Sequence, residues 1–185
     1  MLYMTQKLAT AVFGGGCFWC TEAIFQMLKG VESVVSGYAG GDLEHPSYHA
    51  VSAGTTGHAE VIKVEFDPTA ISYETLLEVF FATHDPTTLN RQGNDSGEQY
   101  RSIILCTSDE QKQQAESYIK KLQDTGEFPD QVVTDVQPLG QFYSAEAYHQ
   151  NYYQSNQDQP YCQLVISPKV KKFKEKHPEL IRTEY

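Results

Sequence analysis

The sequence predicts an α+β fold: one domain built on a single mixed β-sheet with helices packed against it. Two observations carry this. The first six regular segments run strand, helix, strand, strand, helix, strand, which is the split βαβ arrangement of ferredoxin-like folds. The remaining length is taken up by two long stretches, 39–57 and 84–100, with no apolar period and many Gly, Pro, His, Ser and Asn residues. Stretches that long inside a compact domain are functional loops more often than plain connections.

The first strand is 8–13 (LATAVF), followed by Gly14-Gly15-Gly16 and then a helix over 21–29 that stops at Gly30. Residues 31–38 (VESVVSGY) are rich in β-branched side chains and read as a strand. Residues 58–66 alternate so that Glu60, Ile62, Val64 and Phe66 share one face and Lys63 and Glu65 the other. Ser72 is placed to cap a helix through Thr83 with Leu76, Leu77, Val79 and Phe80 on its apolar side. Residues 101–106 (RSIILC) form a short strand, and Ser108 with Gln111 makes a capping box for a helix ended by Gly126. A strand over 131–136 and a short helix over 145–154 bearing Tyr148, His149, Tyr152 and Tyr153 follow. Last come an apolar strand, CQLVI, and a basic helix. Residues 1–167 are expected to form the catalytic domain, with 168–185 a basic tail that is part of it or loosely attached.

Composition narrows the function. The chain has 185 residues and is 40% hydrophobic, enough for one sizeable core. Its net charge of −10 argues against nucleic acid as a partner. The charge is uneven: the tail carries five Lys and one Arg against three Glu, a local +3 that leaves −13 elsewhere. No apolar run approaches the roughly 20 residues of a membrane helix. The first ten residues show no signal-peptide pattern, so the cytoplasm is expected. Thiols stay reduced there, and the four cysteines then point to catalysis or metal before a disulfide framework.

The chemistry concentrates at GGGCFWC, residues 14–20. Three glycines between a strand and a helix leave backbone N–H groups open. The positive end of the helix favours an anion, so a thiol held there is expected to ionise near neutral pH. Cys17 therefore reads as a reactive cysteine, with Phe18 and Trp19 supplying an aromatic surface beside it. Cys20 reads either as a plain core cysteine or as a resolving thiol, since Cys-x-x-Cys at a helix start exchanges between dithiol and disulfide. Glu60 begins a core-facing row. A Glu there is paired or used, and burial raises its pKa until it can donate a proton near neutral pH. Tyr48 and Tyr100 lie in the two long loops, where either could simply pack. The histidines and the unpaired Cys106 and Cys162 lack metal-ligand spacing, so no metal is expected. Two other functions fit parts of this pattern: a thiol–disulfide oxidoreductase on Cys17 and Cys20, which requires a thioredoxin-like strand order not seen here, and a binding module whose aromatic pocket captures peptides without turnover.

GGGCFWC with TEAIFQMLKGVESVVSGYAGG, GHAEVIKVEFDP, GNDSGEQYRS and FYSAEAYHQNYY, in that order, closely resembles peptide methionine sulfoxide reductase A over residues 8–166. The resemblance implies reduction of the S-epimer of methionine sulfoxide, free or in proteins, and hence repair of oxidised proteins. It implies that Cys17 attacks the sulfoxide sulfur and becomes a sulfenic acid, and that Glu60 protonates the departing oxygen. Tyr48 and Tyr100 would hydrogen-bond that oxygen, Phe18 and Trp19 would hold the S-methyl group, and Asp95 would belong to the same site. No cofactor is implied; electrons come from thioredoxin or a similar thiol reductant, and the enzyme is expected to be a monomer. The sequence departs from the commonest family pattern in two places. Cys20 stands where most members have Gly, and the tail lacks the Gly-rich segment that often carries recycling cysteines. Cys20 and Cys162 are thus both candidates to resolve the sulfenic acid. Proximity in the chain favours Cys20, since Cys162 would have to swing in from a polar loop.

Overall fold

A computed structural model describes residues 7–183, so the first six residues and the last two, and the leader and domain-boundary readings that include them, lie outside it. In chain order the regular elements begin with strand β1 (Ala9–Gly15), helix α1 (Phe18–Phe25), strand β2 (Val31–Ala39), helix α2 (Tyr48–Ser52) and strand β3 (Ala59–Phe66). Helix α3 (Tyr73–Thr83), the short strands β4 (Arg91–Gln92) and β5 (Asp95–Ser96), strand β6 (Ser102–Cys106) and helix α4 (Asp109–Thr125) come next. The chain closes with β7 (Asp135–Pro138), β8 (Tyr143–Ser144), α5 (Tyr152–Ser155) and α6 (Ser167–Lys176).

The main sheet has six strands in the order β7-β6-β1-β3-β2-β8. Its centre, β6-β1-β3-β2, is antiparallel throughout, which is the split βαβ order expected from the sequence. Strand β7 pairs parallel with β6 and makes the sheet mixed. Alternation along the strands sorts the core. Phe13, Ile62, Val64, Phe66 and Ile104 face α1, α3 and α4 in one large cluster. Val12, Val61, Ile103 and Leu105 turn to the opposite face, covered by Leu139 and Phe142. Both predicted serine caps form: Ser72 Oγ accepts from Thr75 N at 3.0 Å and Ser108 Oγ from Gln111 N at 3.2 Å. Each such cap contributes about 1 kcal/mol. The Gln111 amide also donates to Thr10 O at 2.7 Å, which fastens α4 to β1.

Several expectations need correcting. Helix α1 starts at Phe18 and ends at Phe25, so Cys17 is its N-cap rather than a residue ahead of a later helix. The predicted helix over 145–154 is a 3₁₀ turn and the short α5, separated by Asn151 in a left-handed conformation, φ 53°. The strand expected at 131–136 begins later, at Asp135. Residues 162–166, read as a strand, form a π-helical segment running into α6. The apolar run hid the period. Cys162 and Ile166 are fully buried while Leu164 between them is 78% exposed, whereas a strand would put all three on one face. The wide π-turn precedes Pro168, whose ring cannot sit against a normal α-helical carbonyl four residues back.

The tail is tied back to α1. Leu180 O accepts from Lys29 N, and Arg182 N donates to Met27 O, both at 2.9 Å. Val170 and Phe173 are buried in the main core. Among the described residues no helix is long and apolar enough to cross a membrane. If α6 folds as part of the same unit, Phe173→Ala should cost about 3–5 kcal/mol in one cooperative denaturant transition. A loosely attached tail would instead leave the midpoint where it was.

Candidate active site

Everything at the site is aimed by the turn between β1 and α1. Gly16 sits at φ 97°, and a Cβ there would meet the Gln92 side chain at 2.6 Å. Gly14 lets β3 approach closely, since a Cβ would lie 2.8 Å from Glu60 O. The turn delivers Cys17 to the N-cap, and the first helical N–H, of Phe18, donates to Glu60 Oε2 at 3.0 Å.

That bond changes the expected electrostatics. The anion-seeking end of α1 is aimed at the Glu60 carboxyl, not at a Cys17 thiolate. Burial pushes the Cys17 thiol well up; the Cys20 thiol, and Glu60 once it ionises, push it further, and the Trp19 amide opposes them only weakly. Cys17 thus rests as a thiol, contrary to the ionised form read from the sequence. Glu60 is 2% exposed. Burial raises its carboxyl to about 8, even though the Phe18 N–H stabilises the anion. At neutral pH the site holds a protonated acid beside a protonated thiol.

The loops bring the other predicted residues to the same place. Tyr48 opens α2, and its backbone N–H is held by Glu146 Oε1 at 2.9 Å. Tyr100 ends a 3₁₀ turn after the β4–β5 hairpin. Burial raises both phenols, and Glu60 and Cys17 beside them would raise them further when ionised, so both remain hydrogen-bond donors. Asp95 accepts from Tyr161 Oη at 2.9 Å, and the same hydroxyl lies 4.0 Å from Cys20 Sγ. The Cys17 and Cys20 thiols face each other, and this contact lowers the pKa of Cys20. All four cysteines are free. Cys162 is fully buried in the π-helical segment rather than in a polar loop, so a swing toward Cys17 would unwind that segment.

Phe18 is buried against Tyr38 and His149, at centroid distances of 5.8 and 5.1 Å. Trp19 is held on three sides: Tyr152 stacks on it at 3.6 Å, Tyr161 meets it edge-on at 5.8 Å, and its Nε1 donates to His149 Nδ1 at 3.1 Å. That bond places the His149 proton on Nε2, toward Glu146 at 3.9 Å. Glu22, 1% exposed, accepts the backbone N–H groups of Asn151 and Tyr152 at 2.9 and 3.2 Å, which sets Tyr152 against the indole. Sequence reading missed the parts of Tyr38, Glu146, Tyr161 and Glu22. It saw His149 and Tyr152 only as members of a helix. Glu22, two residues past the Cys-Phe-Trp-Cys run in an otherwise apolar helix, was the available signal. Among the described residues no cluster of His, Cys, Asp or Glu could hold a metal ion.

The sequence profile of the peptide methionine sulfoxide reductase family matches residues 9–180. The chain belongs to that family. The MsrA enzymes of Haloquadratum walsbyi and Ralstonia nicotianae are 55% and 56% identical to it over 170 and 175 residues. These alignments cover 92% of this chain in both cases, and 97% and 92% of the relatives. The reduced form of Mxr1 from Saccharomyces cerevisiae superposes with a TM-score of 0.78 at 32% identity, covering 87% of this reductase and 92% of that chain.

Glu60 carries a stability signature in this reductase. Its pKa is raised in the folded protein, so its contribution is fully present below the unfolded carboxyl value and is lost as pH rises through about 8. Glu60→Gln should therefore be more stable than the parent at pH 9, by on the order of a few kcal/mol, with the gap closing near pH 4. Chemical denaturation at the two pH values measures this; a gap that grows toward low pH would mean that Glu60 is anionic in the native state.

Proposed function

We infer that this reductase returns the S-epimer of methionine sulfoxide, free or in oxidised proteins, to methionine at the expense of thiols. The observation that carries the mechanism is the buried Glu60 carboxyl, held by the Phe18 N–H at the end of α1 beside the Cys17 thiol, where burial favours its protonated form. A sulfoxide oxygen is a poor leaving group until it gains a proton. Glu60 gives that proton as Cys17 Sγ bonds to the sulfoxide sulfur. The thiol proton of Cys17 restores Glu60, so the site ends the step with its proton count unchanged. Methionine leaves and the oxygen remains on Cys17 as a sulfenic acid. Tyr48 and Tyr100 donate to the oxygen while it carries charge. Phe18 and the clamped Trp19 form the apolar surface for the S-methyl group, and Asp95 orients Tyr161 beneath them.

Cys20 resolves the intermediate. Its thiol faces Cys17 and is the more readily ionised of the two. Its sulfur bonds to Cys17 Sγ, the hydroxyl departs as water, and a disulfide results. Thioredoxin or a similar thiol reductant returns both cysteines to thiols. The site is complete within one chain, which supports a monomer, and the need for thiol reductant supports the cytoplasm.

Two variants test the sequence of steps. Glu60→Gln keeps the shape of the acid but has no carboxylic proton, so the rate should fall on the order of 10²–10⁴-fold. The parent's activity should decline above pH 8, where Glu60 ionises, and the variant should lack that limb. An unaltered pH profile would remove Glu60 from the proton transfer. Cys20→Ser should release one methionine per enzyme and then stall with thioredoxin as reductant. Multiple turnover, with a Cys17–Cys162 peptide in the non-reducing map of the parent, would assign the resolving step to Cys162 instead.

A further inference from the structure

Behind Cys20, on the side of α6, lies a pocket that the reduction of sulfoxide does not use. It has a volume of about 410 Å³ and runs between the end of α3, the segment around Phe128 and Pro129, and α6. Its floor is apolar, formed by Ile24, Phe128 and Phe173. Its rim carries Lys169, Lys172 and Lys176, which recur at helical spacing on one face of α6, with His177 beyond them. Asp85 and Asp130 are the acidic groups lining it. None of the three lysines forms an ion pair among the described residues; the helix's own pair is Lys171 with Glu175. A small crevice lined by Cys20, Thr21 and Phe80 shares Ile24, Thr83, His84 and Lys169 with the pocket. It has room for about one water-sized atom, the scale of a thiol sulfur. Cys20 lines this crevice and Cys17 does not.

We propose that this pocket admits a low-molecular-weight anionic thiol, a small carboxylate-bearing molecule that reduces the Cys17–Cys20 disulfide by attacking Cys20. The proposal rests on the Cys17–Cys20 disulfide described above. Carboxylates sit against the unpaired lysines, the carbon skeleton lies on the apolar floor, and the sulfur enters the crevice. The thiolate sulfur bonds to Cys20 Sγ, the bond to Cys17 breaks, and Cys17 takes up a proton as a thiol. A second thiol attacks the reductant's own sulfur in the mixed disulfide and releases Cys20. Two thiols become one disulfide, and the protein gains two electrons. The sign of the charge preference is diagnostic, because a chain of net charge −10 otherwise repels an anionic reductant.

The test oxidises the protein with methionine sulfoxide, maps the disulfide, and follows thiol recovery with mercaptosuccinate or 2-mercaptoethanol at equal thiolate concentration and low salt. The parent should prefer mercaptosuccinate by roughly fivefold or more, and high salt should abolish the preference. Lys172→Gln/Lys176→Gln should bring the two thiols near parity, with single-turnover methionine release and recovery by 2-mercaptoethanol unchanged. In Cys17→Ser, the disulfide form of mercaptosuccinate should label Cys20. A Cys17–Cys20 disulfide recovered with no charge preference, with a preference that survives in the double variant, or with the label on Cys162, overturns the pocket alone. Absence of the Cys17–Cys20 peptide overturns the recycling step and the pocket together.

Discussion

The hydrogen bond from the Phe18 N–H to the Glu60 carboxyl is the contact on which the rest of the site depends. A helix end can steady one anion well, and this protein aims that capacity at the acid rather than at the nucleophile. The choice has a structural basis. Glu60 lies on the helix-facing side of a central strand, where a carboxyl without a donor would be costly. The bond lets the residue stay buried, and burial still dominates its titration, so the acid keeps its proton. Cys17, one residue earlier, then lies within reach of a group that can exchange a proton with it.

Rigidity around the indole comes from a second layer with no chemistry of its own. Glu22 accepts from two successive backbone N–H groups, that of the left-handed Asn151 and that of Tyr152. Two N–H bonds to one carboxylate hold α5, only four residues long, where its own backbone could not. Tyr152 is thereby fixed flat against Trp19, and a stacked pair of this kind adds roughly 0.5–1.5 kcal/mol beyond burial. The pocket wall is thus set from behind, through a helix that would not persist alone.

What could be read from the chain divides along physical lines. Strands and caps were legible because alternation and serine capping are local, and β3 announced Glu60 by a charge in an apolar row. The nucleophile was legible from the glycine turn, but its charge state was not. That state depends on which anion captures the helix end, a contact between residues 42 apart in sequence. The tail misled for a different reason. Four apolar residues among the five of CQLVI fit a strand and a helix equally, and only the burial of Cys162 and Ile166 with Leu164 exposed separates them. Tyr38, Glu146 and Tyr161 gave no local sign at all, since what they do depends on partners far along the chain.

The return of the C-terminal segment to Met27 and Lys29 has a consequence for the birth of the protein. The helix carrying the nucleophile is made early, yet the segments that seat it follow only after every strand of the sheet. Chains emerge from the N-terminal end at roughly 5–20 residues per second. Until those segments emerge, Tyr161 is not yet beside Cys20 and α6 is not yet packed against α1. A nascent chain short of them therefore carries Cys17 and Cys20 without the finished cavity, and reactivity arrives with the segments that close it.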